Sequence, residues 1–234
     1  MSPRLLTRMS GAALAFAAAA GIARADSVMY MGSVSFTSDL EASQNINLPS
    51  FDTMGGTLTL LSVLVETEHS GSVHPRADND DPFQGATVRA RVVRQWSSTG
   101  PGVFAFGNTT INSPFVDLLA DDGDGGNNDN FDATAPDGVD FGVLGYGPVL
   151  ANSTNPAPVL YATPGPNTVS FLVDPILMVN DLQWEDPPGT PDAWQLEVET
   201  PILTVKVKVT YEYIPEPASL ALLAIGGLLI ARRR

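Results

Sequence analysis

Between residues 26 and 213 the apolar positions recur with a period of two. The clearest run is Leu203–Tyr213, where Leu203, Val205, Val207, Val209, Tyr211 and Tyr213 share one parity. Thr204, Lys206, Lys208, Thr210 and Glu212 occupy the other. Successive side chains of an extended strand point to opposite faces, so this run predicts a strand with one buried and one wet face. Its lysines would also make it a poor target for edge pairing. Val28–Thr37 alternates around Val34 and Phe36, and Thr57–Thr67 is rich in β-formers. Thr87–Trp96 sets Arg89, Arg91 and Arg94 among valines; Thr168–Val173, Ile176–Val179 and Trp194–Glu199 add short runs. Breaks rich in Gly, Pro or Ser separate them at Met54-Gly55-Gly56, Ser98–Gly102, Thr163–Pro166 and Asp186–Pro191. Helical periodicity is hard to find between the two ends. Many short strands with turn-rich links predict an all-β domain, an antiparallel β-sandwich, with a jelly-roll arrangement as an open variant.

The pattern changes at both ends. Arg4 and Arg8 precede an alanine-rich apolar stretch, Gly11–Ile22, followed by Ala23-Arg24-Ala25. That is the layout of a secretory signal peptide over residues 1–25, with Ala23 and Ala25 as the small residues read by signal peptidase and cleavage before Asp26. No twin-arginine pair is present, which favours the general secretory route. At the other end, residues 214–234 comprise Ile214-Pro215-Glu216-Pro217, an apolar run Ala218–Ala231, and Arg232-Arg233-Arg234. Fourteen residues as a helix span about 21 Å, short of the roughly 30 Å hydrocarbon core. The prolines stop the helix from extending backwards, and the three arginines hold its end in the cytoplasm. The tail therefore predicts a short transmembrane helix of marginal length, suited to transient membrane insertion. Residues 26–213 are left as a single ectodomain.

Pro215-Glu216-Pro217, the apolar run containing Gly226-Gly227, and the terminal arginines closely resemble the PEP-CTERM sorting signal. The resemblance implies recognition by an exosortase, which removes the tail and passes the chain to the cell surface or extracellular polysaccharide matrix of a Gram-negative-type bacterium. A plain C-terminal anchor behind a proline linker is the other reading of the same residues. Pro49-Ser50-Phe51-Asp52, Gly55-Gly56, Thr57-Leu58-Thr59, Val169-Ser170-Phe171 and the last alternating strand are similar to choice-of-anchor E domains. The likeness is patchy, and departs at Val73–Gln84 and Asp117–Asp137, where this chain carries acidic insertions. It implies a β-rich surface domain and supplies no catalytic residues.

Charge sharpens the division. Six of the twelve basic residues and one of the twenty-six acidic ones, Glu216, lie in the two terminal signals. Six bases against twenty-five acids leave the part between them at −19, against −14 for the whole chain. Such a charge argues against nucleic acid or anionic membrane as partners and suits cation binding outside the cell. The chain has no cysteine, which excludes disulfides and zinc-thiolate sites.

Candidate chemistry is sparse. The run 121–132 (DDGDGGNNDNFD) offers Asp121, Asp122, Asp124, Asn127, Asp129 and Asp132 as oxygen ligands on a Gly-rich loop, the donor type that Ca²⁺ takes. No start within it satisfies the EF-hand spacing, so it predicts an irregular calcium loop or a disordered acidic insertion. Asp78-Asn79-Asp80-Asp81 is a smaller version. His69 and His74, the only histidines, fit no zinc spacing and are expected as solvated loop residues. No nucleophile elbow and no Ser-His-Asp arrangement is evident. Trp96, Trp184 and Trp194 are candidates for sugar stacking or for the core. The expectation is a non-enzymatic surface or matrix protein with a structural or adhesive role. Its partners would be signal peptidase, exosortase and exopolysaccharide. A carbohydrate- or calcium-binding module is the alternative, and a two-carboxylate secreted hydrolase the third reading.

Overall fold

The computed structural model describes residues 24–123 and 131–216. The segment through Ala23, the acidic stretch holding Asp124, Asn127 and Asp129, and the tail from Pro217 through Arg232, Arg233 and Arg234 lie outside the described residues.

The strands are, in chain order, β1 (Asp26–Phe36), β2 (Gln44–Pro49), β3 (Phe51–Asp52), β4 (Leu58–Asp78), β5 (Ala86–Gly100), β6 (Val103–Asn112), β7 (Val116–Leu118), β8 (Gly138–Asp140), β9 (Leu144–Thr154), β10 (Ala162–Thr163), β11 (Thr168–Trp184) and β12 (Gln195–Pro215). Two antiparallel sheets face each other. One runs β1-β12-β4, with β8 and β9 both on the far side of β4; the other runs β2-β11-β5, with β6 and β7 on the far side of β5. A two-residue parallel pair, β3 with β10, closes one end. The 21-residue strands β4 and β12 set the long dimension, about 70 Å at roughly 3.3 Å per residue.

Alternation decides what is inside. Leu203, Val205, Val207, Val209 and Tyr211 of β12 are fully buried. They pack with Phe36, Ile46, Leu48, Val63, Val65, Phe171 and Val173 into one core. The opposite parity of β12 carries Lys206 and Lys208, which pair across the strand with Glu68 (3.3 Å) and Glu66 (2.5 Å). Tyr161 and Tyr211 are buried, and each hydroxyl donates to a carbonyl, of Pro101 and Pro49 respectively (2.9 Å each).

A polar waist follows. Trp96 and Arg94 are fully buried on β5. The Arg94 guanidinium donates to the carbonyls of Val93 and Val179 and to Asn180 Oδ1. His69 lies in β4, only 3% exposed, with Nδ1 3.0 Å from the Tyr146 hydroxyl and its ring against Trp96. Beyond the waist the filling is smaller: Val73, Ala77, Ala86, Val88, Ala90, Val92 and Leu118.

Several expectations change. Neither histidine is a solvated loop residue: both belong to β4, where His69 faces inward and His74 Nε2 sits 2.6 Å from Asp140 Oδ1. The β12 lysines guard no edge, because β12 lies between β1 and β4. The runs 168–173 and 176–179 are one strand with a register shift at Pro175/Leu177, and 194–199 joins 203–213 through a shift between Glu199 and Ile202.

Candidate functional site

The two acidic segments, separate in the sequence, meet at the end of the sandwich where β4 stops. The Asp121 N–H donates to the Asp81 carbonyl (2.9 Å), and the Asn79 N–H to the Asp137 carbonyl (3.2 Å). The Asp132 N–H donates to Asp78 Oδ2 (2.7 Å) and the Asp122 N–H to Asp137 Oδ2 (2.9 Å). Asn79 is wholly buried; its side-chain amide donates to the carbonyls of Gln84 and Leu119 and so ties the two segments together. Asp78, Asp80, Asp81 and Asp137 are all more than nine-tenths buried.

This crowding changes acidity. Burial first, then repulsion from Asp80, Asp137 and Asp132, pushes the Asp78 carboxyl up to about 6 despite the Asp132 N–H that favours its charge. Asp81 moves the other way, because the N–H groups of Asp192, Phe83 and Gln84 solvate its carboxylate.

Asp121, Asp122 and Asp137 bring one carboxylate oxygen each within 4.8 Å of the others. That separation fits oxygens sharing one Ca²⁺ at about 2.4 Å each. Asp137 stands outside the run 121–132 and was not singled out as a ligand. Asp132 turns its Oδ1 to the Thr134 N–H, while Asp124, Asn127 and Asp129 lie outside the described residues. The signal that would have found Asp137 is its place fifteen residues after Asp122, which becomes meaningful only once β8 returns the chain to β4.

The β11–β12 connection lies at the same end. The Asp192 N–H reaches Asp81 Oδ2 (2.9 Å), and Gln195 Nε2 reaches Asp80 Oδ1 (3.2 Å). Next to Gln195, the ring of Trp194, 42% exposed, lies 5.6 Å from that of Trp184 and is tilted 59° to it. Trp96, by contrast, belongs to the core. The six basic residues between positions 26 and 213 are engaged elsewhere. Arg76 meets Glu197 and Glu199, Arg91 meets Asp181, and the two lysines meet Glu66 and Glu68. Arg89 reaches Gln183 and the Phe115 ring, and Arg94 is held in the waist.

At the opposite end of the molecule the start of β1 and the end of β12 emerge side by side. Asp26 pairs with Tyr213, Pro215 pairs with Leu58, and the Glu216 N–H donates to the Thr57 carbonyl (2.8 Å). Ala25, Pro215 and Glu216 are exposed.

No family model matches the chain, and no curated protein matches it. Among solved structures it is similar to chains of two strains of infectious bursal disease virus. For the Gx strain the identity is 10% and the TM-score 0.16, covering 86% of this chain and 43% of that one. For the Gt strain the values are 11% and 0.11, with 83% and 41% covered. The chain thus spans about two fifths of the length of those viral chains, at scores that carry no argument about function.

Proposed function

We propose that this chain is an exported, exosortase-processed surface or matrix protein whose β-sandwich has a structural or adhesive rather than enzymatic role, in association with exopolysaccharide. The observation that supports this reading is the layout of the ends. Asp26 and Pro215-Glu216 sit together and exposed at one end of the sandwich, while the acidic residues gather about 70 Å away. A chain delivered through its tail would therefore present the acidic, tryptophan-bearing end outward. Replacing Pro215, Glu216 and Pro217 together by alanine tests it. The variant is expected to stay in the inner-membrane fraction while the unaltered protein reaches the surface or medium. Equal surface recovery of the two would refute the sorting role.

A second reading is favoured by the convergence of Asp121, Asp122 and Asp137 beside the Trp184–Trp194 pair: a calcium-assisted carbohydrate-binding module. Carboxylates would hold the ion, and the exposed indole would stack on a sugar ring. Ca²⁺ that binds only the folded state raises the melting temperature in a saturable way. The expected result is such a rise for the unaltered chain and its loss in Asp137→Asn. No rise at millimolar Ca²⁺ would leave the structural reading alone.

A further inference from the structure

The outer faces of the two sheets differ in kind. On the β1-β12-β4 sheet the outward polar groups pair with one another: Lys206 with Glu68, Lys208 with Glu66, Ser35 with Thr204 and Ser62 with Glu212. The β2-β11-β5-β6 sheet has a stretch without such pairing. Its register rows, read from β11 across β5 to β6, are Leu172-Thr99-Phe104, Asp174-Ser97-Phe106 and Leu177-Gln95-Asn108. Alternation puts these side chains on the outer side, because their neighbours Phe171, Val173, Trp96, Ser98, Val103 and Ala105 are buried.

The rows make a shallow trough. Along one side stand Phe104 and Phe106, 64% and 48% exposed; along the other stand Leu172 and Ile176, each 45% exposed. The floor is β5, with the short side chains of Ser97 and Thr99 and with Gln95 at its end. The walls are two strand spacings apart, about 10 Å, and the floor from Thr99 to Gln95 runs about 13 Å. Among the described residues, the side chains of Gln95, Ser97, Thr99 and Asn108 have no protein hydrogen-bond partner. Asp174 is the one charged side chain in these rows, and it accepts from Ser43 Oγ (2.8 Å). The next charges along β5 belong to the Arg91–Asp181 ion pair, beyond the end of the floor.

We infer that this trough binds an uncharged polysaccharide, an extended chain of neutral sugar rings, which rests on the exopolysaccharide reading above and gives it a surface. A sugar ring has an apolar C–H face and a rim of hydroxyls. The face of an aromatic ring carries partial negative charge and attracts such C–H groups, which is the role of Phe104 and Phe106. The hydroxyls of Ser97 and Thr99 and the amides of Gln95 and Asn108 both donate and accept, as sugar hydroxyls do. Charge selects the neutral class. Residues 26–213 carry −19, which repels uronate or sulfated chains, and the trough offers no cation to hold an anionic group. A basic protein partner finds its complement at the acidic end instead. The trough is also distinct from the tryptophan pair, since Trp184 lies opposite Val88, about 23 Å along β5 from Gln95.

Native-gel electrophoresis of the full-length chain in mild detergent tests this. Galactomannan, hydroxyethyl-cellulose or the uncharged exopolysaccharide of the native cells is cast into the gel, with alginate as the charged control. Retarded migration in at least one uncharged gel and none in alginate is the expected result, and it should persist in EDTA. Phe104→Ala combined with Phe106→Ala should weaken the apparent Kd roughly tenfold. Thr99→Glu, which sets a charge on the floor, should do the same and carries the test if the double variant does not fold by circular dichroism. Met31→Ala, on the outer face of the other sheet, should change nothing. Retardation that survives the trough variants, or that EDTA abolishes, overturns the inference and leaves the exopolysaccharide reading standing. Retardation in alginate alone overturns the uncharged class. No retardation of the unaltered chain in any gel removes the exopolysaccharide reading, and the trough's role with it.

Discussion

Asp78 shows how much a neighbourhood matters at the scale of one residue. Its carboxyl is shifted up from 3.8 to about 6, chiefly by burial and then by neighbouring carboxylates. The folded state therefore holds its proton more tightly than the unfolded chain. The stability contributed by that proton is full below pH 4 and is lost as pH rises through 6. At neutral pH the charged form costs the fold on the order of 2 kcal/mol. Asp78→Asn is expected to raise the melting temperature at pH 7 relative to the unaltered protein. It should also flatten the dependence between pH 4 and 6, as read from melting curves across that range; an unchanged profile would count against it. Gly107 is the second instructive residue. A β-carbon there would lie 2.2 Å from Trp96 Nε1, inside a fully buried contact. Gly107→Ala should destabilise by about 2 kcal/mol through overpacking, measurable as a lowered midpoint in urea.

Single elements divide into those the sequence announces and those it hides. β12 announces itself, because a period-two pattern sustained through Leu203–Tyr211 matches a strand buried on one face. The consequence is an asymmetric mutational profile. Val207→Asp should abolish cooperative unfolding, since it places an unpaired carboxylate in the core. Lys206→Ala, one residue away on the wet face, should shift stability by less than about 0.5 kcal/mol. Urea denaturation of the two variants reads the contrast directly. β6 is hidden because its large residues, Phe104 and Phe106, point outward, while Val103, Ala105 and Gly107 point inward, reversing the expected size pattern to make room for Trp96. β9 is hidden because almost none of it is buried. The full length of β4 escapes the pattern for another reason. Its second half, with Gly71, His69, His74 and Pro75, reads as a break, yet pairing with β12 carries it to Asp78. His69 is a core residue there because Tyr146, seventy-seven positions away, supplies its hydrogen bond.

Across the whole molecule, the all-β class and the sandwich were legible in the sequence, because alternation assigns faces. Strand neighbours were not, since alternation carries no information about partners. The acidic end follows the same logic. Asp121 and Asp122 were visible as oxygen donors, whereas the share of Asp137 and the burial of Asp78–Asp81 depend on long-range closure by β8 and on Asn79 bridging two segments. The long β4–β12 pair then separates that end from Pro215 and Glu216, which lie beside Asp26. Delivery through the tail is the central claim. Its most direct test is the intact mass of the protein recovered from its native cells. A mature chain that begins at Asp26 and lacks Ala218–Arg234 is the predicted result. A mass that still includes Arg232, Arg233 and Arg234 would contradict it and leave a plain membrane anchor in its place.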